Sequence, residues 1–95
     1  MYIISHQLYL EIGEKLMEAI GRKGFYSGEV AVWHNDVECR LSCTLFAERA
    51  TEAEEGNRLT RIERLTPVWW ECHTFRGGEE ILNGFSFREF TSAIL

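Results

Sequence analysis

Val68-Trp69-Trp70-Glu71-Cys72-His73-Thr74-Phe75 sets a thiol beside an imidazole, with a carboxylate just before them. A Cys/His couple suits nucleophilic catalysis when the imidazole can take the thiol proton. The run, however, is made of strand formers and contains no turn residue, so it reads as a central β-strand. Side chains alternate along a strand, which sends Cys72 and His73 to opposite faces. A buried thiol that packs as a small hydrophobe is the better reading of Cys72. The alternative is a ligand-binding or enzymatic domain whose pocket gathers His34, Cys72 and His73, with His34 reaching over from a neighbouring strand.

The other candidate chemistry is thinner. Cys39 and Cys43, four apart in a strand, stand about 13 Å from each other at ~3.3 Å per residue, too far to share a zinc ion or a disulfide. No four-ligand set is visible, so no metal and no cofactor is expected. Gly77-Gly78 stands in a hairpin and does not open a helix, which removes phosphate-loop and dinucleotide readings. Trp69, Glu71, His73 and Phe75 form one alternating row, a small polar site walled by aromatics or an ordinary half-exposed sheet face. No catalytic residue is assigned.

Ninety-five residues, 45% hydrophobic and 26% charged, with eight Gly and one Pro, describe one globular α+β domain spanning 1–95. Ten Lys plus Arg against fifteen Asp plus Glu leave a formal charge of −5. That balance disfavours nucleic acid, whose backbone demands clustered Lys and Arg. A nucleic-acid binder with bases stacked on sheet aromatics is therefore the third reading, behind a protein-binding module and a pocket. Arg58, Arg61 and Arg64 would make a basic stripe on a helix; on a strand they split between faces. The three cysteines are odd in number, lack a CxxC spacing and lie in strand-like runs, which fits reduced core thiols. With no basic leader and no apolar run near the ~18 residues of a membrane span, a cytoplasmic protein without membrane attachment is expected.

The elements that would position these residues follow from periodicity. Residues 5–21 form an amphipathic helix with Leu8, Ile12, Leu16 and Ile20 in a row, Ser5 as N-cap and Ile4 over Tyr9 as a staple. Gly13 in mid-helix implies close approach of this face to the sheet. Two alternating runs flank Asn35-Asp36, a two-residue loop that tolerates positive φ and pairs His34 with Val37, Val32 with Cys39 and Val30 with Leu41. Arg49 to Asn57 is an acidic connection. Leu59, Ile62 and Leu65 suit a helix while Thr60, Ile62 and Thr66 suit a strand; since Arg58 to Phe75 has no Gly, Asn or Asp for a reversal, the run is read as one long strand kinked or bulged at Pro67. Gly77-Gly78 turns the chain into a short edge strand, Glu80 to Asn83. Ser86-x-x-Glu89, with Phe85 and Phe90 at the staple positions, opens a helix from Phe87 to about Ile94. The result is α-β-β-β-β-α, a meandering antiparallel sheet packed on the N-terminal helix.

Parity through these strands puts Val30, Val32, Cys39, Leu41, Cys43 and Leu45 on the helix side. Trp33 and Phe46, then Trp69, Glu71, His73 and Phe75, fall on the reverse. Exposed aromatics on a small domain mark an interface unless the C-terminal helix folds over them. The leading expectation is a non-enzymatic protein-interaction module, a homodimer using that face.

At Pro67-Val68-Trp69-Trp70-Glu71-Cys72-His73-Thr74-Phe75, followed by Glu79-Glu80-Ile81-Leu82-Asn83 and the helix led by Phe85-Ser86-Phe87, the chain resembles a group of short uncharacterised proteins from gut bacteria. The resemblance covers roughly the last third of the chain. It implies a bacterial source and no activity, and it carries over no site residue.

Overall fold

The computed structural model describes residues 1–50 and 61–95. Its elements are α1 (His6–Ile20), β1 (Phe25–His34), β2 (Val37–Ala50), β3 (Arg61–Arg76), β4 (Glu79–Ile81) and α2 (Phe87–Ile94). The four strands form one antiparallel sheet in the order β1-β2-β3-β4. This is the expected α+β meander. No helix among the described residues is long and apolar enough to cross a membrane.

α1 starts where Ser5 Oγ accepts the Leu8 N–H at 3.1 Å, and it stops at Gly21, whose φ of 58° only a residue without a Cβ takes freely. Its buried stripe is Leu8, Tyr9, Ile12, Gly13, Leu16 and Ile20. Ile4 and Tyr9, the expected staple pair, are buried in the same cluster. Asn35 takes φ 58° in the first hairpin. The register beyond it is the one the loop length dictates: His34 faces Val37, Val32 faces Cys39 and Val30 faces Leu41. All but the loop-flanking His34 are buried, and Val30, Val32, Cys39 and Leu41 join the core cluster with α1.

The third strand is single and long. Thr44 pairs with Trp69 while Leu45 pairs with Pro67, so Val68 is the extra residue of a bulge beside the proline. The bulge resets parity. Leu65, which would otherwise share a face with Trp69, is buried opposite Ala47. A second shift leaves Glu63 unpaired; Arg64 then faces Glu48 and Arg61 faces Ala50, with Arg64 Nε 3.9 Å from Glu48. β2 runs two residues past Glu48 to Ala50. The rest of the expected acidic connection, together with Arg58 to Thr60 of the expected strand, lies outside the described residues.

Gly77 and Gly78, with φ of 59° and 83°, make the reversal into β4. β4 is shorter than Glu80–Asn83 because the chain leaves the ladder at Leu82; Asn83 instead bridges in parallel to Tyr2. The Tyr2 N–H donates to Leu82 O at 2.7 Å and the Gly84 N–H to Tyr2 O at 3.0 Å. Behind this corner, Thr74, 0% exposed, donates to Ile81 O, and Asn83 spans Cys72 O, the Thr74 hydroxyl and the Phe85 N–H. Every buried polar group here has a partner, as a low-dielectric interior demands.

α2 is capped by Ser86, which accepts from the Glu89 N–H. It lies on the same side of the sheet as α1. Phe90 is wholly buried, with its ring centroid 5.5 Å from that of Phe85 and 6.1 Å from that of Tyr9. Trp70, opposite the core residue Cys43, sets its indole 5.4 Å from Phe85 and 6.0 Å from Phe87. Tyr9 Oη accepts the Ser86 N–H at 3.1 Å and donates to Glu89 at 3.3 Å, joining the two helix starts. Gly13 does allow a close approach, but to α2 rather than to the sheet: a Cβ there would collide with the Ile94 side chain.

Candidate interaction face

With both helices on one side, the reverse side of the sheet is left uncovered by any described element. The strand registers arrange it in rows. Phe25 lies beside Phe46 and Thr66, then Ser27 beside Thr44 and Trp69, Glu29 beside Ser42 and Glu71, Ala31 beside Arg40 and His73, and Trp33 beside Glu38, Phe75 and Glu80. Trp33, Phe46 and Trp69 are 65%, 49% and 48% exposed; Glu71 is exposed, and His73 and Phe75 are half-buried. All six residues expected on this face are there.

They do not form one patch. Phe25, Phe46 and Trp69 occupy one end, the first two with ring centroids 5.1 Å apart, and Trp33 and Phe75 occupy the other. Between them runs a polar band. Ser27 and Thr44 share a hydrogen bond of 2.8 Å, and Ser42 donates to Glu29 at 2.9 Å. Arg40 donates to Glu38 at 3.1 Å while its guanidinium stands 5.1 Å over the Phe75 ring. His73 Nδ1 meets Glu80 at 2.6 Å, and its Nε2 meets Glu71 at 3.0 Å. Hydrogen bonding to Glu80 first, and to Glu71 second, raises the His73 pKa above its ordinary value. These polar residues include four carboxylates, Glu29 and Glu71 between the aromatic ends and Glu38 and Glu80 within the Trp33–Phe75 row, against one guanidinium and one imidazole.

Phe25 and Arg40 belong to the face and were not singled out from the sequence as interaction residues. Phe25 was within reach: the loop that pairs His34 with Val37 also pairs residue 25 with residue 46. Arg40 sat in the same alternating run, and only the three-dimensional register shows it over Phe75.

The pocket of His34, Cys72 and His73 does not assemble. His34 bonds Glu11 of α1 at 3.2 Å at the hairpin end. Cys72 lies on the inner side, its sulfur 3.6 Å from that of Cys39. His73 is on the other side of the sheet. The hydrogen bond to Cys39, with burial, pushes the Cys72 thiol well up, and burial pushes Cys43 up to about 11. Thiols so placed are mostly protonated at neutral pH. Among the described residues no group of His, Cys, Asp and Glu is placed to hold a metal ion. A groove of about 920 Å³ opens beside Met17, Arg49, Arg61 and Ile94, away from these residues.

No protein-family model, no curated protein and no solved structure matches this chain.

Proposed function

We propose that this chain is a small non-enzymatic protein-interaction module that self-associates through the outer sheet face. The observation carrying this reading is the exposure of Trp33, Phe46 and Trp69 on a face that neither helix covers. Large aromatics kept in water gain most by burial against another protein. A short chain also has reason to borrow burial from a second copy. Its radius of gyration, 14.5 Å, exceeds the ~12 Å of a compact chain of this length, and its extents are 51 × 23 × 19 Å. An elongated sheet with one covered side is poor in core for its surface. Contact falls on the aromatic rings, since the carboxylates between and beside them would meet their own kind.

The test is sedimentation equilibrium with circular dichroism on the intact chain. Wild-type mass should rise with concentration toward that of a dimer. Trp33→Ala combined with Trp69→Ala should weaken the rise at unchanged far-UV spectrum and melting temperature. A wild-type chain that stays monomeric at high concentration, or a folded double variant that associates as well as wild type, sinks the reading.

A further inference from the structure

The two edges of the sheet are finished differently. On the β3 side, β4 covers Thr74 to Arg76 and Tyr2 bonds the chain just beyond it, while the remainder of β3 is interrupted by Pro67 and two register shifts, the irregularities that discourage pairing. At the opposite edge β1 runs for ten residues without a proline or a bulge, in unbroken register with β2. The two-residue loop makes His34 and Val37 a hydrogen-bonded pair, so the even residues of β1 bond inward. The Ala47 N–H bonded to Gly24 O at 2.9 Å continues that phase. Phe25, Ser27, Glu29, Ala31 and Trp33 consequently aim their N–H and C=O groups out of the sheet, and no described residue bonds them. Proteins ordinarily protect a long regular edge with prolines, bulges or several charges. Here Glu29 is the single charge on the strand between Phe25 and Trp33.

We infer that this edge pairs antiparallel with β1 of a second copy, joining two four-stranded sheets into one across a two-fold axis. The residue pattern favours a copy of this same strand. A two-fold pairing must match outward-bonding residues with each other, which limits the register. Centred on Glu29 it would set that carboxylate against itself. Centred on Val30 it sets Glu29 against Ala31 and Ser27 against Trp33, so each charged or bulky residue meets a small one. On the helix side Val30 then meets Val30 and Gly28 meets Val32. Glu14 and Lys15 of α1 border the groove along Ala31 and Trp33. They offer both signs of charge to the α1 of the copy.

This interface shares Trp33 with the aromatic face and leaves the rest of that face open. Ala31→Pro distinguishes the two. It removes an N–H that points away from β2, and proline is tolerated on an edge strand. In sedimentation, Ala31→Pro should weaken self-association about tenfold or more at unchanged melting temperature, whereas Trp69→Ala, remote from the edge, should leave that component in place. Hydrogen exchange keeps the proposal testable should the proline variant fail to fold. In concentrated wild-type protein the amides of Ser27, Glu29, Ala31 and Trp33 should become protected, and dilution should release them while the even-numbered amides stay protected. Odd-numbered amides that exchange freely at every concentration, or a folded Ala31→Pro chain associating as tightly as wild type, overturn the inference.

Discussion

The sulfurs of Cys39 and Cys72 lie 3.6 Å apart across the β2–β3 ladder, two residues off direct opposition. Cys39 faces Thr74, and Cys72 faces Leu41, so the thiols meet on the diagonal of the inner surface. The contact couples them: the hydrogen bond lowers Cys39 against the raising effect of burial, while the same bond and burial raise Cys72. Once one thiol of the pair has ionised, its charge makes the other harder to ionise.

Slow thiol chemistry follows. Cys43, raised from 9.0 to about 11, should carry a hundredfold less thiolate at pH 7 than a free cysteine, since each unit is a factor of ten. Cys72 is raised further and Cys39 is buried. Native protein treated with an aromatic disulfide reagent at pH 7 should label at least about a hundredfold more slowly than denatured protein, in which all three thiols react. One fast native thiol would show that a cysteine has access and an ionised form that this core denies it.

His73 should titrate above 6.5, because its ring is held between Glu80 and Glu71. The imidazolium donates to both carboxylates, whereas a neutral ring has one donor to give. Its folded pKa is raised, so its stabilising contribution is fully present below the unfolded value of about 6.5 and fades as pH rises through the folded value. The site is solvent-exposed, which keeps the effect small. A ring-proton NMR titration should place the midpoint above 6.5, with Glu80→Gln lowering it more than Glu71→Gln. A midpoint unmoved by either substitution would mean that the bridges do not persist in solution.

How far the chain can be read before it is folded depends on which interactions are local. The β1–β2 register was legible because one loop length fixes every later pair, from His34 with Val37 to Phe25 with Phe46. The bulge was legible because Pro67 cannot donate to a ladder. The side chosen by α2 was not: Ser86 and Glu89 announce a helix start, but a cap carries no information about where the helix docks. That choice rests on Trp70, Phe85, Phe87, Phe90 and Tyr9 meeting in space, a five-ring cluster drawn from three separate parts of the chain. The bridge from Tyr2 to Asn83, just beyond β4, was hidden for the same reason. On the outer face, alternation gave the membership, and register alone gave the polar band that divides it.

The pairing of Gly13 with Ile94 gives the sharpest test of how α2 is seated. On an isolated helix Gly→Ala stabilises by about 1 kcal/mol, so an unhindered Gly13→Ala would raise the melting temperature. Here the new Cβ would collide with Cγ2 of Ile94 and stand 3.2 Å from its Cβ. Ile94 is held by its own helix, whose Phe90 is locked into the aromatic cluster, so it cannot retreat without moving α2. Gly13→Ala should therefore destabilise the protein. In an Ile94→Ala background the same substitution should become neutral or stabilising. Denaturant titrations of the four variants form a double-mutant cycle with a coupling energy of about 0.5–3 kcal/mol. Additive effects, or a wild-type background that tolerates Gly13→Ala, would mean that α2 does not rest on α1 at this point.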